Sequence, residues 1–142
     1  MFKKTINKNN NPLEGLNKEK NATHGEISII SENMQIKGEV FSTGSIRVDG
    51  RIEGDIKSES RIIVGLKGYI KGNIIANSVD VEGEINGKID TIGILNIKST
   101  AIVQAEIKVR DIAIEKGARF EGNCSYYENQ SNNTIENINQ TE

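Results

Sequence analysis

Residues 45–74 read Ser-Ile-Arg-Val-Asp-Gly-Arg-Ile-Glu-Gly-Asp-Ile, then Lys-Ser-Glu-Ser, then Arg-Ile-Ile-Val-Gly-Leu-Lys-Gly-Tyr-Ile-Lys-Gly-Asn-Ile. Apolar residues stand at Ile46, Val48, Ile52 and Ile56, and the same order returns at Ile62, Val64, Ile70 and Ile74. The frame is a pair two apart, a third residue four or six further on, and a fourth four beyond that. Every step is even, so with a strand period of two the four side chains share one face, which becomes the inside.

The frame recurs as Val79, Val81, Ile85, Ile89, as Leu95, Ile97, Val103, Ile107, and as Ile112, Ile114, Phe120, Cys124. A less regular first copy is expected at Met34, Ile36 and Val40. Copies 16 or 17 residues apart are too short for a helix pair and suit one turn of a β-solenoid. The residues two before and two after the third core position are mostly small: Gly50 and Gly54, Gly68 and Gly72, Gly83 and Gly87, Ala101 and Ala105, Ala118 and Gly122, with Gly38 and Ser42 expected to begin the series. Small residues suit the corners of a triangular section, where inward side chains crowd. An antiparallel meander gives no reason for a small-large-small unit to return once per copy. A left-handed hexapeptide helix needs an uninterrupted apolar step of six, which these spacings break. The expected fold is therefore all-β: a right-handed parallel β-helix of triangular section with about six rungs, in keeping with the usual hand of parallel crossovers.

Composition agrees. Of 142 residues, 35% are hydrophobic and 4% aromatic, so Ile and Val, which favour strands, must build the core. Fourteen glycines against the single Pro12 fit many tight turns. Three segments are expected: residues 1–25 as a disordered arm rich in Asn and Lys, 26–127 as the β-helix, and 128–142 as a disordered polar tail. Eighteen basic against 20 acidic residues leave no basic excess of the kind that marks a nucleic-acid binder. One cysteine, Cys124, excludes an intrachain disulfide and suits a reducing compartment. No apolar run reaches the roughly 20 residues of a membrane span.

Catalytic chemistry is hard to assemble from these residues. Asp49, Glu53, Asp55, Asp80, Glu82 and Glu84 alternate with core residues and should face solvent, His24 has no second ligand beside it, and Cys124 reads as a small buried hydrophobe. No catalytic site, metal, cofactor or nucleotide is expected.

The stretch Ser45 to Ile56 is similar to the most recognisable signature of the bactofilins. Val64-Gly65, Ile70-Lys71-Gly72-Asn73-Ile74, Val79-Asp80-Val81-Glu82-Gly83 and Phe120-Glu121-Gly122-Asn123-Cys124 resemble further family segments, in order and at matching spacing, across roughly residues 27–127. The resemblance implies a β-helix that polymerises without nucleotide into non-polar filaments and serves as a scaffold localising cell-wall enzymes. Ala101 and Ala105 depart from it, standing where glycines are common.

The end rungs of a solenoid lack one neighbour, and neither flank offers an apolar period long enough for a capping helix, so the ends should be interfaces. Phe120 at one end, and Met34 with Ile36 at the other, are the expected polymerisation surfaces. At the N-terminus, Met1 and Phe2 supply an apolar wedge beside Lys3 and Lys4, a pattern suited to an anionic membrane surface. The expected location is the cytoplasm, at the inner face of the membrane. The alternative function is a β-helical adaptor that binds a cell-wall enzyme without polymerising.

Overall fold

A computed structural model describes residues 26–128 of the chain. Fourteen strands, all paired in parallel, wind into a solenoid of six turns. Turn 1 comprises β1 (Ile27–Ile30), β2 (Gln35–Lys37) and β3 (Val40–Ser42). Turn 2 repeats the pattern with β4 (Ser45–Val48), β5 (Arg51–Glu53) and β6 (Ile56–Ser58). From turn 3 onward the second and third segments join into one eight-residue strand. The pairs are β7 (Arg61–Val64) with β8 (Tyr69–Ala76), β9 (Ser78–Val81) with β10 (Glu84–Thr91), β11 (Ile94–Ile97) with β12 (Ile102–Val109), and β13 (Asp111–Ile114) with β14 (Arg119–Tyr126).

Like positions stack on like. Ile46 pairs with Ile62, Ile62 with Val79, Val79 with Leu95 and Leu95 with Ile112. The interior is thus made of columns of β-branched and leucine side chains. Ile46, Val48, Ile52, Ile56 and their equivalents through turn 5 are buried almost completely. Burying one such side chain stabilises the fold by about 1.5–3 kcal/mol. Repetition along the columns replaces the large aromatic anchors that this composition lacks.

The first turn differs from the sequence expectation. Ser28 pairs with Ile46 and Ile30 with Val48, so turn 1 opens on β1 and not on Met34. Ile36 pairs with Ile52 and Val40 with Ile56, which makes them the third and fourth inward residues of that turn. Met34 falls instead at the level of Gly50, in a corner closed by its own N–H donating to the Ser31 carbonyl. The small flanks of this turn are accordingly not Gly38 and Ser42; the third core position, Ile36, is flanked by Met34 and Gly38. Ser28, a polar residue in the first core slot, hid the start of the repeat.

The glycine corner also has a different cause from side-chain crowding. Gly54 and Gly72 bend the chain at φ +144° and +149°, a region that side chains rarely adopt. A Cβ on Gly54 would lie 1.8 Å from the Gly38 carbonyl oxygen, and one on Gly72 1.9 Å from that of Gly54. The obstacle is the backbone of the preceding turn.

The other corner, between first and second segments, varies in length. Turns 2 and 4 cross it at Asp49-Gly50 and Glu82-Gly83, whereas turn 3 inserts Gly65-Leu66-Lys67-Gly68, closed by the Gly68 N–H on the Gly65 carbonyl. A fifth inward position follows the four of the frame, filled by Ser58, Ala76, Thr91 and Val109, all buried. Ser58 donates its hydroxyl to the Gly44 carbonyl at 2.7 Å, while the Thr91 hydroxyl has no hydrogen-bond partner.

Candidate assembly surfaces at the two ends

Each interior strand is paired on both edges, but β1, β2 and β3 pair on one edge only, as do β13 and β14. Among the described residues, both ends of the solenoid therefore present a row of backbone N–H and C=O groups without a strand beside them. Such a row is a template for another strand.

Behind each open edge the apolar layer is incompletely covered. At the N-terminal end Ile36 and Val40 are half-buried against the core while Met34 is 47% exposed. At the C-terminal end Ile112, Ala118, Phe120 and Cys124 are half-buried and Ile114 is 50% exposed, although their equivalents one turn inward are sealed. Phe120 pairs with Val103 and Cys124 with Ile107. The structure brings Met34 and Ile36 together at one end and sets Phe120 at the opposite end. Met1, Phe2, Lys3 and Lys4 lie outside the described residues.

The sides of the solenoid carry polar ladders. Arg47 pairs with Asp49 at 2.9 Å, Arg51 with Glu53 at 2.9 Å, and Arg61 with Asp80 at 3.1 Å, all exposed on at least one partner. Surface pairs of this kind contribute roughly 0–1 kcal/mol each. The hydrogen bond from Arg51 holds the Glu53 carboxyl below its usual range. The Arg51 guanidinium also lies over the Tyr69 ring, 4.3 Å from its centre. Asp49, Glu53, Asp55, Asp80, Glu82 and Glu84 all stand on the outside, spread over several faces and corners instead of gathered in a cleft. Among the described residues no three His, Cys, Asp or Glu side chains are grouped to hold a metal, and no helix is long and apolar enough to cross a membrane.

At the C-terminal side, the Tyr127 hydroxyl donates to the Asp90 carboxylate and the Lys108 ammonium lies 4.6 Å from the Tyr127 ring centre. That hydrogen bond, helped by burial, raises the Tyr127 pKa above its ordinary 10.0. Sequence reasoning missed this tie, since Asp90 and Tyr127 are 37 residues apart. It also missed the exposed Ile27 and Ile29 of β1, which the Ile-Ser-Ile-Ile alternation could have revealed.

Among the described residues, the solenoid seals its core along the sides and leaves it partly bare at both ends. The chain matches, over residues 28–125, the family model described as "Bactofilin: Polymer-forming cytoskeletal", and it belongs to the bactofilin family. It is 26% identical over 96 residues to bactofilin BacO of Myxococcus xanthus strain DK1622, a match covering 68% of this chain and 76% of that protein. It is 23% identical over 95 residues to bactofilin BacP of the same organism, covering 67% of this chain and 40% of that one. No solved structure matches the chain significantly. The family is a structural, polymer-forming one, and membership in it implies self-association.

Proposed function

We propose that this chain is a nucleotide-independent cytoskeletal scaffold that stacks end to end into non-polar filaments on the cytoplasmic face of the membrane, where it organises cell-wall enzymes or cell shape. The observation that carries this reading is the pair of terminal turns, each with strand edges that no described strand pairs and a partly bared apolar layer. Stacking would extend both the hydrogen-bond ladders and the Ile/Val columns through the junction. Phe120 serves one junction, and Ile36 with Met34 serves the other.

Pelleting and negative-stain electron microscopy of purified protein, at physiological salt without nucleotide, test the reading. Filaments support it. A protein that stays monomeric supports instead an adaptor that binds a cell-wall enzyme with one of its flat faces.

Attachment to the membrane is assigned to Met1 and Phe2 as a wedge and Lys3 and Lys4 as contacts to anionic headgroups, each lysine worth about 1 kcal/mol near a charged surface. One such segment binds weakly, and a filament that repeats it binds firmly through effective concentration. Deleting residues 1–8 should leave filaments intact and abolish co-sedimentation with anionic vesicles. Unchanged co-sedimentation would remove these residues from the anchor.

A further inference from the structure

Under the non-polar stacking proposed above, on which this inference rests, two copies meet at each end across a two-fold axis and their terminal strands run antiparallel. Inward side chains must then face inward side chains, because a one-residue slip turns a strand's core face to solvent. A bend must likewise lie on a bend. In β14 the bend is at Gly122, where φ is +138°. An axis through Gly122 meets both conditions: Phe120 stands opposite the partner's Cys124, and Cys124 opposite the partner's Phe120.

The backbone suits that axis. In the inner turns the corner glycine aims both of its polar groups at the turn that follows: the Gly38 and Gly54 N–H groups donate to the Glu53 and Lys71 carbonyls, and the Gly38 carbonyl is the atom a Cβ on Gly54 would strike. Gly122, at the same corner of turn 6, aims its N–H and C=O out of the open end. A residue so placed on a two-fold axis exchanges two hydrogen bonds with its own copy. The axis leaves the triangle through the middle of the opposite face, at Ala113 of β13, and sets Ile112 against the partner's Ile114.

Size and charge fit the same register. The third and fourth inward positions are both Ile in turns 2, 3 and 4, but in turn 6 they are Phe120 and Cys124. A two-fold at Gly122 lays the large ring over the small thiol, twice. One step further out it sets Ala118 against the partner's Tyr126, small against large again. At the other end the matching corner is Gly38, with φ +132°. An axis there pairs Ile36 with the partner's Val40 and, on the outside, Lys37 with the partner's Glu39, both exposed. Lys37 stands in register beside Glu53 of turn 2, whose carboxylate takes its hydrogen bond from Arg51.

We propose that each junction is a two-fold contact centred on a glycine corner, Gly122 at one end and Gly38 at the other, so that Phe120 packs on the partner's Cys124 and Lys37 faces the partner's Glu39.

Disulfide mapping of pelleted protein tests this. In a Cys124→Ala background, Arg119→Cys is combined with Ser125→Cys, two outward positions that the Gly122 axis sets opposite one another across the junction. Oxidation with copper–phenanthroline should give a covalent dimer and nothing larger, and neither single substitution should give one. At the other end, Lys37→Glu should raise the concentration needed for pelleting about tenfold, since two like-charge pairs then face each other, and adding Glu39→Lys should restore it. Filaments without the 119–125 disulfide, or a dimer from either single substitution, overturn the Gly122 register and leave like-to-like stacking standing. A covalent ladder from Arg119→Cys combined with Gln35→Cys shows that opposite ends meet, which overturns non-polar stacking and the register together. If the cysteine pair itself prevents pelleting, the charge exchange decides: no restoration by Glu39→Lys overturns the register.

Discussion

Phe120 stands in register beside Val103 of the preceding turn, and on its other side no strand of the described chain stands beside it. Val103 is sealed because it has a neighbour on both edges; Phe120, at the same inward position, is half-buried because it has one. The difference between the two is the difference between an interior turn and a junction.

Replacing Phe120 by Arg should leave a β-rich circular dichroism spectrum and abolish filaments, since a guanidinium buried at the junction would lack a partner. Ile36→Arg should do the same at the opposite end. If like ends meet like, each variant alone stops at dimers, joined through the end that was not altered. Analytical ultracentrifugation reads this directly. Monomers from both variants, and dimers only on mixing them, would instead mean that the two ends meet each other and that the filament is polar.

The glycine corner gives a contrast within one column. Gly72→Ala must adopt an unfavourable φ and also push its Cβ against the Gly54 carbonyl, so a cost of about 3 kcal/mol or more is expected in urea unfolding. Gly38 has φ +132° but nothing within 4 Å of its would-be Cβ. Gly38→Ala should cost about 1 kcal/mol, from the backbone alone. Equal costs at both positions would show that the carbonyl of the adjoining turn yields.

Thr91 should be replaceable by Val with a gain in stability of roughly 1 kcal/mol, because the swap keeps the shape and removes a buried hydroxyl that has no partner. Thermal unfolding compares the two proteins. Ser58→Ala is the counterpart and should destabilise, since the Ser58 hydroxyl donates to Gly44 and accepts from the Ser60 N–H.

The Tyr127–Asp90 tie should weaken in strong alkali. A tyrosine whose folded pKa is raised favours the fold fully below the unfolded value of about 10, and that contribution disappears as pH climbs through the raised value. Ultraviolet titration of Tyr69→Phe/Tyr126→Phe should show Tyr127 ionising above pH 10, and Asp90→Asn should bring it back down. An unshifted titration would place Tyr127 away from Asp90 in solution.

The core was legible because the same four positions recur and all their steps are even, so Ile46 to Ile107 could be assigned inward one by one. Legibility failed where the pattern was interrupted by chemistry of the wrong kind. Ser28 concealed β1 and shifted the first copy to Met34, and the fifth inward column escaped notice because Ser58 and Thr91 are polar. The positions of the small corner residues were visible, but not their cause, which is a carbonyl of the adjoining turn 1.8 Å from the would-be Cβ of Gly54 and not crowded side chains. Phe120 could be located as the last member of its column. Its partial burial depended on knowing how many turns the chain completes, which is a property of the whole stack. The tie from Asp90 to Tyr127 depends on where the chain passes after its last strand, and no local spacing encodes that.

Backbone pairing joins each turn only to the one before and the one after it, so the solenoid is a one-dimensional cooperative lattice. In such a lattice the outermost units, held on one side, fray first, and thermal opening runs inward from turn 1 and turn 6. A copy stacked on either end converts a fraying unit into an interior one. Lengthening the lattice and suppressing its fraying are then the same event, and the melting temperature of this protein should rise with its concentration.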